Sequence, residues 1–115
     1  MTMIQPGSID SSDGGTVLVF EVGEQFLQGA GFVQGGIQAG MLADAMARAV
    51  GDDASRVEVL DVGFIRFARA GRMKAMATVV HRGKRLWHLH AELRDADDRL
   101  VATARGTRRV DGAKT

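Results

Sequence analysis

Residues 31–50 read GFVQGGIQAGMLADAMARAV, and the character of the chain changes in the middle of that stretch. Glycine-punctuated, β-prone residues give way to a run of Ala, Met and Leu, which is strong helix composition. The join is Gly35-Gly36. A helix that opens on two glycines presents backbone N–H groups that no side chain shields. With the positive end of the helix dipole, those groups suit an anion or a polarised carbonyl. Small and apolar residues at Ala39, Leu42, Ala43, Met46, Ala49 and Val50 recur at helical spacing, so they are expected to form the buried stripe. Ile37, Met41, Asp44 and Arg48 fall on another face. Gly51 is the expected stop. The predicted helix runs from about Gly36 to Val50 and is the only long one in the chain.

Outward from the helix, the pattern is of strands. Thr16–Val22 (TVLVFEV) is β-branched and aromatic. Gly23–Gly31 reads as a loop with one helical turn near Gln25–Gln28. Four further strands are predicted at Arg56–Ala68, Arg72–Arg82, Lys84–Asp95 and Leu100–Val110, separated by short turns around Gly71, Gly83 and Asp95–Asp98. Successive strands joined this way are expected to pair antiparallel. Residues 1–15 are polar and glycine-rich, with the sole proline, and read as a flexible N-terminal leader. The domain is expected over residues 16–110, with residues 111–115 as a tail. The class is α+β, with a five-stranded antiparallel sheet wrapped around a long central helix.

The chain has 115 residues, one domain's worth, and 45% hydrophobic content suits a globular core. It holds no cysteine, which excludes disulfides, thiolate metal sites and a cysteine nucleophile, and fits a reducing compartment. No apolar run approaches the roughly 18 residues that span a bilayer, and the N-terminus has no signal-peptide pattern, so a cytoplasmic protein is expected. The net charge of +1 hides an asymmetry: residues 1–65 carry about −7 and residues 66–115 about +8. A basic half suggests an anionic partner, although solvated strand faces would read the same way. With one Trp and no Tyr for base stacking, a small phosphorylated ligand suits the pattern better than nucleic acid.

Four pieces of sequence, taken in order, carry a family resemblance: Gln28 with GFVQGGIQAGMLADAM, FIRFARAG (Phe64–Gly71), the VVHRGKRLWH hairpin, and DDRLVATARGT in the last strand. Across residues 16–110 they resemble hotdog-fold acyl-CoA thioesterases of the phenylacetate-degradation and hydroxybenzoyl-CoA thioesterase type. The resemblance implies dimers formed by joining sheets edge to edge, often paired again, with sites between subunits. It places Gln34-Gly35-Gly36 where the family often has His-Gly-Gly, with the Gly35 amide polarising the thioester oxygen and Gln28 beside the reacting carbonyl or water. It implies no cofactor beyond coenzyme A as part of the substrate. The family's catalytic carboxylate would fall at Ala43, and Asp44 lies one residue later, about 100° around the helix. Asp44 either acts as base or nucleophile through a local shift, or pairs with Arg48. Without its acid, the chain would be a non-catalytic hotdog protein that binds acyl-CoA or a related ligand.

Other candidates have their own alternatives. Arg82, Lys84 and Arg85 at the hairpin, or Arg66 with Arg69, can meet coenzyme A phosphates, and Gly36 adds a second amide for the substrate. The same hairpin charges also suit a solvated turn. His88, His90 and Glu92 share one strand face and can ligate a metal, but no distant third histidine accompanies them, and a polar outer face explains them as well. Trp87, Leu89, Ala91 and Leu93 have the opposite parity and are expected in the core. No nucleophile elbow, P-loop or dinucleotide glycine motif is present.

Overall fold

The computed structural model describes residues 8–12, 15–29, 31–51 and 55–110. The elements in chain order are β1 (Ser8–Ser12), β2 (Gly15–Val22), a 3₁₀ turn (Glu24–Phe26), β3 (Leu27–Gln28), β4 (Phe32–Val33), α1 (Gly35–Val50), β5 (Arg56–Phe64), β6 (Gly71–Arg82), β7 (Leu86–Arg94) and β8 (Leu100–Arg109). The main sheet has the order β1-β2-β6-β7-β8-β5, antiparallel throughout. The helix packs across one face of this sheet, chiefly over β6 and β7.

Alternation along the strands explains why. Leu18, Phe20 and Val22 of β2, Met73, Ala75 and Ala77 of β6, and Leu89, Ala91 and Leu93 of β7 are all buried towards α1. Period-two patterning turns one face of a strand inward and leaves the other for solvent. Many of the inward residues are small, which lets the helix approach closely. At Gly106 of β8 a Cβ would stand 2.5 Å from the Met46 Sδ, so a side chain there has to push aside the end of the buried methionine or the helix that carries it. Trp87, expected in the core with its parity, is only half-buried and lies under the Arg82 guanidinium, 5.1 Å from the ring centre.

Three expectations need correcting. The five expected strands form the antiparallel sheet against the helix, but the stretch expected as a leader adds a sixth, because Ser8–Ser12 pairs with β2 at the sheet edge. Strand ladders are backbone interactions, so a polar, unpatterned segment can join one. Next, β5 does not pair with β6 despite the short turn between them. Both edges of β6 are taken by β2 and β7, and β5 crosses to β8 at the opposite edge. There it is largely uncovered, with Val57 and Val59 about half exposed. Finally, the buried stripe of α1 is Gln38, Met41, Leu42, Ala45, Met46 and Val50, rotated from the expected one. Alanines on several faces give the helix little contrast, and the longer Met41, Leu42 and Met46 set its phase.

Candidate functional site

The chain enters α1 through a short hairpin. β3 and β4 pair antiparallel, and Gly29 and Gly31 turn the chain between them with φ of 50° and 90°, values that glycine adopts without strain. This brings Gln28 beside the start of the helix. Val33 N–H donates to Ala68 O at 2.7 Å, which ties the hairpin to the loop of residues 65–70. That loop is held in turn by the amides of Ile65 and Arg66, both donating to Val101 O.

Gln34 is extended at φ −60° and ψ 142°, makes no side-chain capping bond, and its carbonyl accepts the first helical bond from Gln38 N–H. The first amides of a helix have no partner within it. No acceptor among the described residues meets those of Gly35, Gly36 and Ile37, and no acidic side chain stands in the first turn. The helix head is open.

It opens on a cavity of about 500 Å³ lined by Gln28, Gly29, Phe32, Val33, Gly35, Gln38, Phe64, Ile65, Arg66 and Phe67. The wall is mostly apolar, with a few polar groups, as small-molecule sites generally are. Phe64 lies close over the helix head: a Cβ on Gly35 would sit 3.2 Å from its ring. Phe32 and Phe67 stack with ring centres 4.5 Å apart, and the Arg69 guanidinium lies 5.0 Å from the Phe32 ring. Phe67 is 77% exposed, so an aromatic rim surrounds the mouth.

The cavity gathers Gln28, Gly35 and Arg66 from the residues singled out in the sequence. Arg66 is anchored by its Nε, which donates to Leu100 O at 2.9 Å. Gly36 is exposed, with open space above it, and Gln34 is half-buried. Asp44 is not part of the cavity. Nine residues along the helix from Gly35, or about 13 Å, its Oδ1 accepts from Arg48 Nε at 2.9 Å. Arg82, Lys84 and Arg85 lie at the far end of β6 from the loop that lines the cavity, and none of them lines it. His88 and His90 lie on β7, with His88 3.2 Å from Thr107 Oγ1 and its ring tilted against His81. Glu92 of the same strand pairs with Arg94. Among the described residues, no group of three or more His, Cys, Asp or Glu converges on a point, and no helix is long and apolar enough to cross a membrane.

Gln38 was missed by the sequence reading. It is 4% exposed, lines the cavity, and donates from Nε2 to Val33 O at 3.1 Å. Its signal was there: with Met41, Leu42 and Ala45 it follows the i, i+3, i+4, i+7 spacing, a polar residue on the buried stripe.

The sequence matches a family model described as acyl-CoA thioesterase N-terminal domain over residues 25–109. Among solved structures, a phenylacetic acid degradation-related protein from Ralstonia eutropha JMP134 is 31% identical, with a TM-score of 0.82 over 90% of this chain and 83% of that one. The E. coli PaaI protein from the phenylacetic acid degradation operon is 28% identical, with a TM-score of 0.84 over 95% of this chain and 80% of its own. A thioesterase from Staphylococcus aureus, 20% identical with a TM-score of 0.82 over 92% of this chain and 91% of its own, shares the fold. No curated protein sequence gives a significant match. One long helix against an antiparallel sheet, with these likenesses, is the hotdog fold.

Proposed function

Since the chain belongs to the acyl-CoA thioesterase family, we propose that it hydrolyses an acyl-CoA thioester in the cavity at the head of α1. The observation that carries this reading is the Gly35 amide, without an acceptor among the described residues, at a largely apolar cavity that also holds Gln28. The thioester oxygen accepts a hydrogen bond from Gly35 N–H, and Gly36 adds a second helix-head amide. Water attacks the carbonyl carbon, and negative charge develops on the oxygen against the helix dipole. A fixed donor of this kind contributes about 10²–10³ in rate. Collapse of the adduct breaks the C–S bond and releases free acid and coenzyme A. Gln28 orients the carbonyl or the water. Gln34 supplies the carbonyl that starts the helix and so fixes the glycine amides.

The proton of the attacking water goes to Asp44, acting from a second copy of the chain, and passes from there to the sulfur as the C–S bond breaks. The place of Asp44 about 13 Å along α1 from Gly35 supports the neighbouring copy as its source. The uncovered β5 edge, carrying Val57 and Val59 and ending at Phe64 beside the cavity, supports edge-to-edge pairing there. Such dimers can pair again. Coenzyme A phosphates meet Arg66 and Arg69 at the mouth, and Arg82, Lys84 and Arg85, which do not line the cavity of their own chain, serve from a neighbouring copy. The reading requires no metal or further cofactor, and it suits a cytoplasmic protein.

A second reading is favoured by Ala43, which stands where the family resemblance puts the acid, and by the Asp44–Arg48 pair. It is a hotdog protein that binds acyl-CoA without hydrolysing it. One assay separates the two: thiol release from short, medium and aromatic acyl-CoAs by the purified protein, Asp44→Asn and Gln28→Ala. Turnover lost in Asp44→Asn and reduced in Gln28→Ala is the expected result. Binding of the panel without turnover favours the second reading, and full turnover in Asp44→Asn removes that residue from the mechanism.

A further inference from the structure

The buried stripe of α1 is apolar except for Gln38. Its carboxamide is only half used. The Nε2 end donates to Val33 O at 3.1 Å, while Oε1 is shut off from solvent with no hydrogen-bond partner among the described residues. Turning the amide over would set its oxygen against the Val33 carbonyl, acceptor against acceptor, so the orientation is fixed by its neighbour. What remains is a permanent acceptor with nothing to accept from. Buried acceptors are nearly always paired, and each exception calls for a cause. Holding Val33 accounts for the amino end alone.

Gln38 lines the same cavity as Gly35 and stands three residues along α1 from it. Residues at that spacing lie on one helix face, about 5–6 Å apart. We propose that Gln38 Oε1 accepts a hydrogen bond from the acyl group, making the site selective for thioesters with a neutral donor, a hydroxyl or N–H, on the first few carbons beyond the carbonyl. This rests on the thioester being held at Gly35 as proposed above. A plain hydrocarbon chain leaves Oε1 unpaired inside an apolar wall. A carboxylate in the same position sets a second acceptor against it. A site built to bond a substrate donor rejects the analogue that lacks it far more strongly than an apolar pocket distinguishes one methylene.

The test is a matched pair, 3-hydroxybutanoyl-CoA and butanoyl-CoA, measured as kcat/KM with the wild-type protein and with Gln38→Met, which keeps length and removes both polar atoms. The wild type is expected to favour the hydroxylated substrate by about tenfold or more. Gln38→Met is expected to lose that preference by slowing on the hydroxylated substrate alone. An equal loss on both substrates would make Gln38 a packing residue and overturn the proposal, as would a wild type with no preference. The wild-type ratio decides even if the variant does not fold. Should the wild type hydrolyse neither, binding of non-hydrolysable thioether analogues of the pair separates the two ideas. Donor-dependent binding keeps the role of Gln38 while hydrolysis fails, and equal binding removes both.

Discussion

The two ends of α1 are built in opposite ways. At the C-terminal end Gly51 takes a left-handed conformation at φ 73°, and its N–H returns to Ala47 O at 3.2 Å. Arg48 stands in the last turn, where a cation complements the dipole. Close by, the Arg108 guanidinium donates to the Ser55 hydroxyl and carbonyl at 3.0 and 3.1 Å, and Val110 N–H to Arg85 O. Burial lowers the Arg108 pKa from its ordinary value, and the guanidinium is nonetheless held there by its bonds. At the N-terminal end, by contrast, three amides have no partner among the described residues, the neighbouring cavity is rimmed by exposed aromatics, and the one polar side chain of the stripe keeps an oxygen that no described residue bonds. A donor that must meet a reacting oxygen cannot also be satisfied by the protein. Stability therefore has to come from the packed part of the helix, and substitutions at the two ends should separate rate from stability.

The largest separation is expected from Gly35→Pro. Proline suits the first helical position, and Gln34 at ψ 142° already has the conformation that precedes a proline. The lost N–H had no partner among the described residues, so no structural bond is broken. The new ring crowds Phe64, which is 56% exposed and free to shift. Turnover is expected to fall about 10²–10³-fold, with the melting temperature nearly unchanged. Undiminished turnover by a folded variant would break the comparison, because the open amide would then have no function.

The converse is expected from Gly106→Val. A Cβ there meets Met46 Sδ at 2.5 Å, and Met46 is buried, so helix and sheet must part or the methionine must leave its place. Overpacking of this kind costs about 1–3 kcal/mol. Thermal or denaturant unfolding should show it, with turnover per folded molecule intact well below the midpoint. A variant of unchanged stability would mean the close packing of this region is slack.

Much of this contrast was legible in the sequence. Gly35-Gly36 marked the helix head, Gly51 its end, and β-branched runs located five strands within a few residues. Gln28 and Arg66 both line the cavity; the first was singled out by its spacing from the helix head in the family resemblance, the second as a charge that could meet a phosphate. The Asp44–Arg48 pair was visible as an i,i+4 alternative, and the helix geometry favours it within one chain. What escaped depends on tertiary context. Ser8–Ser12 joins the sheet through its backbone, which leaves no apolar pattern. The pairing of β5 with β8 reflects which edges were already taken. The basic hairpin stands at the far end of β6 from the cavity, a placement within one chain that strand length and pairing decide. Gln38 looked like an ordinary helix glutamine, and only the fold shows one end of its amide engaged and the other idle.

The smallest predicted effect concerns the turn between β7 and β8, which stands beside the open end yet is fully closed upon itself. Asp95 shares a small cleft with Phe67 and Arg69 at the cavity rim. Its Oδ1 accepts from the amides of Asp97 and Arg99 at 3.0 and 2.9 Å, and its Oδ2 lies 3.3 Å from Arg99 Nε. Desolvation pushes its carboxyl upward, but the Arg99 and Asp97 amides and the Arg99 charge outweigh it and hold the pKa below 3.8. A carboxyl depressed in the folded state stabilises the fold above its unfolded value, and that contribution disappears as pH falls through the lower folded value. Asp95→Asn keeps an acceptor and removes the charge, so it is expected to cost about 1 kcal/mol or less at pH 7. The difference from wild type should shrink on acidification and vanish once the wild-type carboxyl is protonated. If it instead persists at that pH, the lost stability reflects turn geometry and not charge. If turnover falls as well, the openness of the helix head depends on this turn, and the boundary between the closed and open regions lies further out than the aromatic rim.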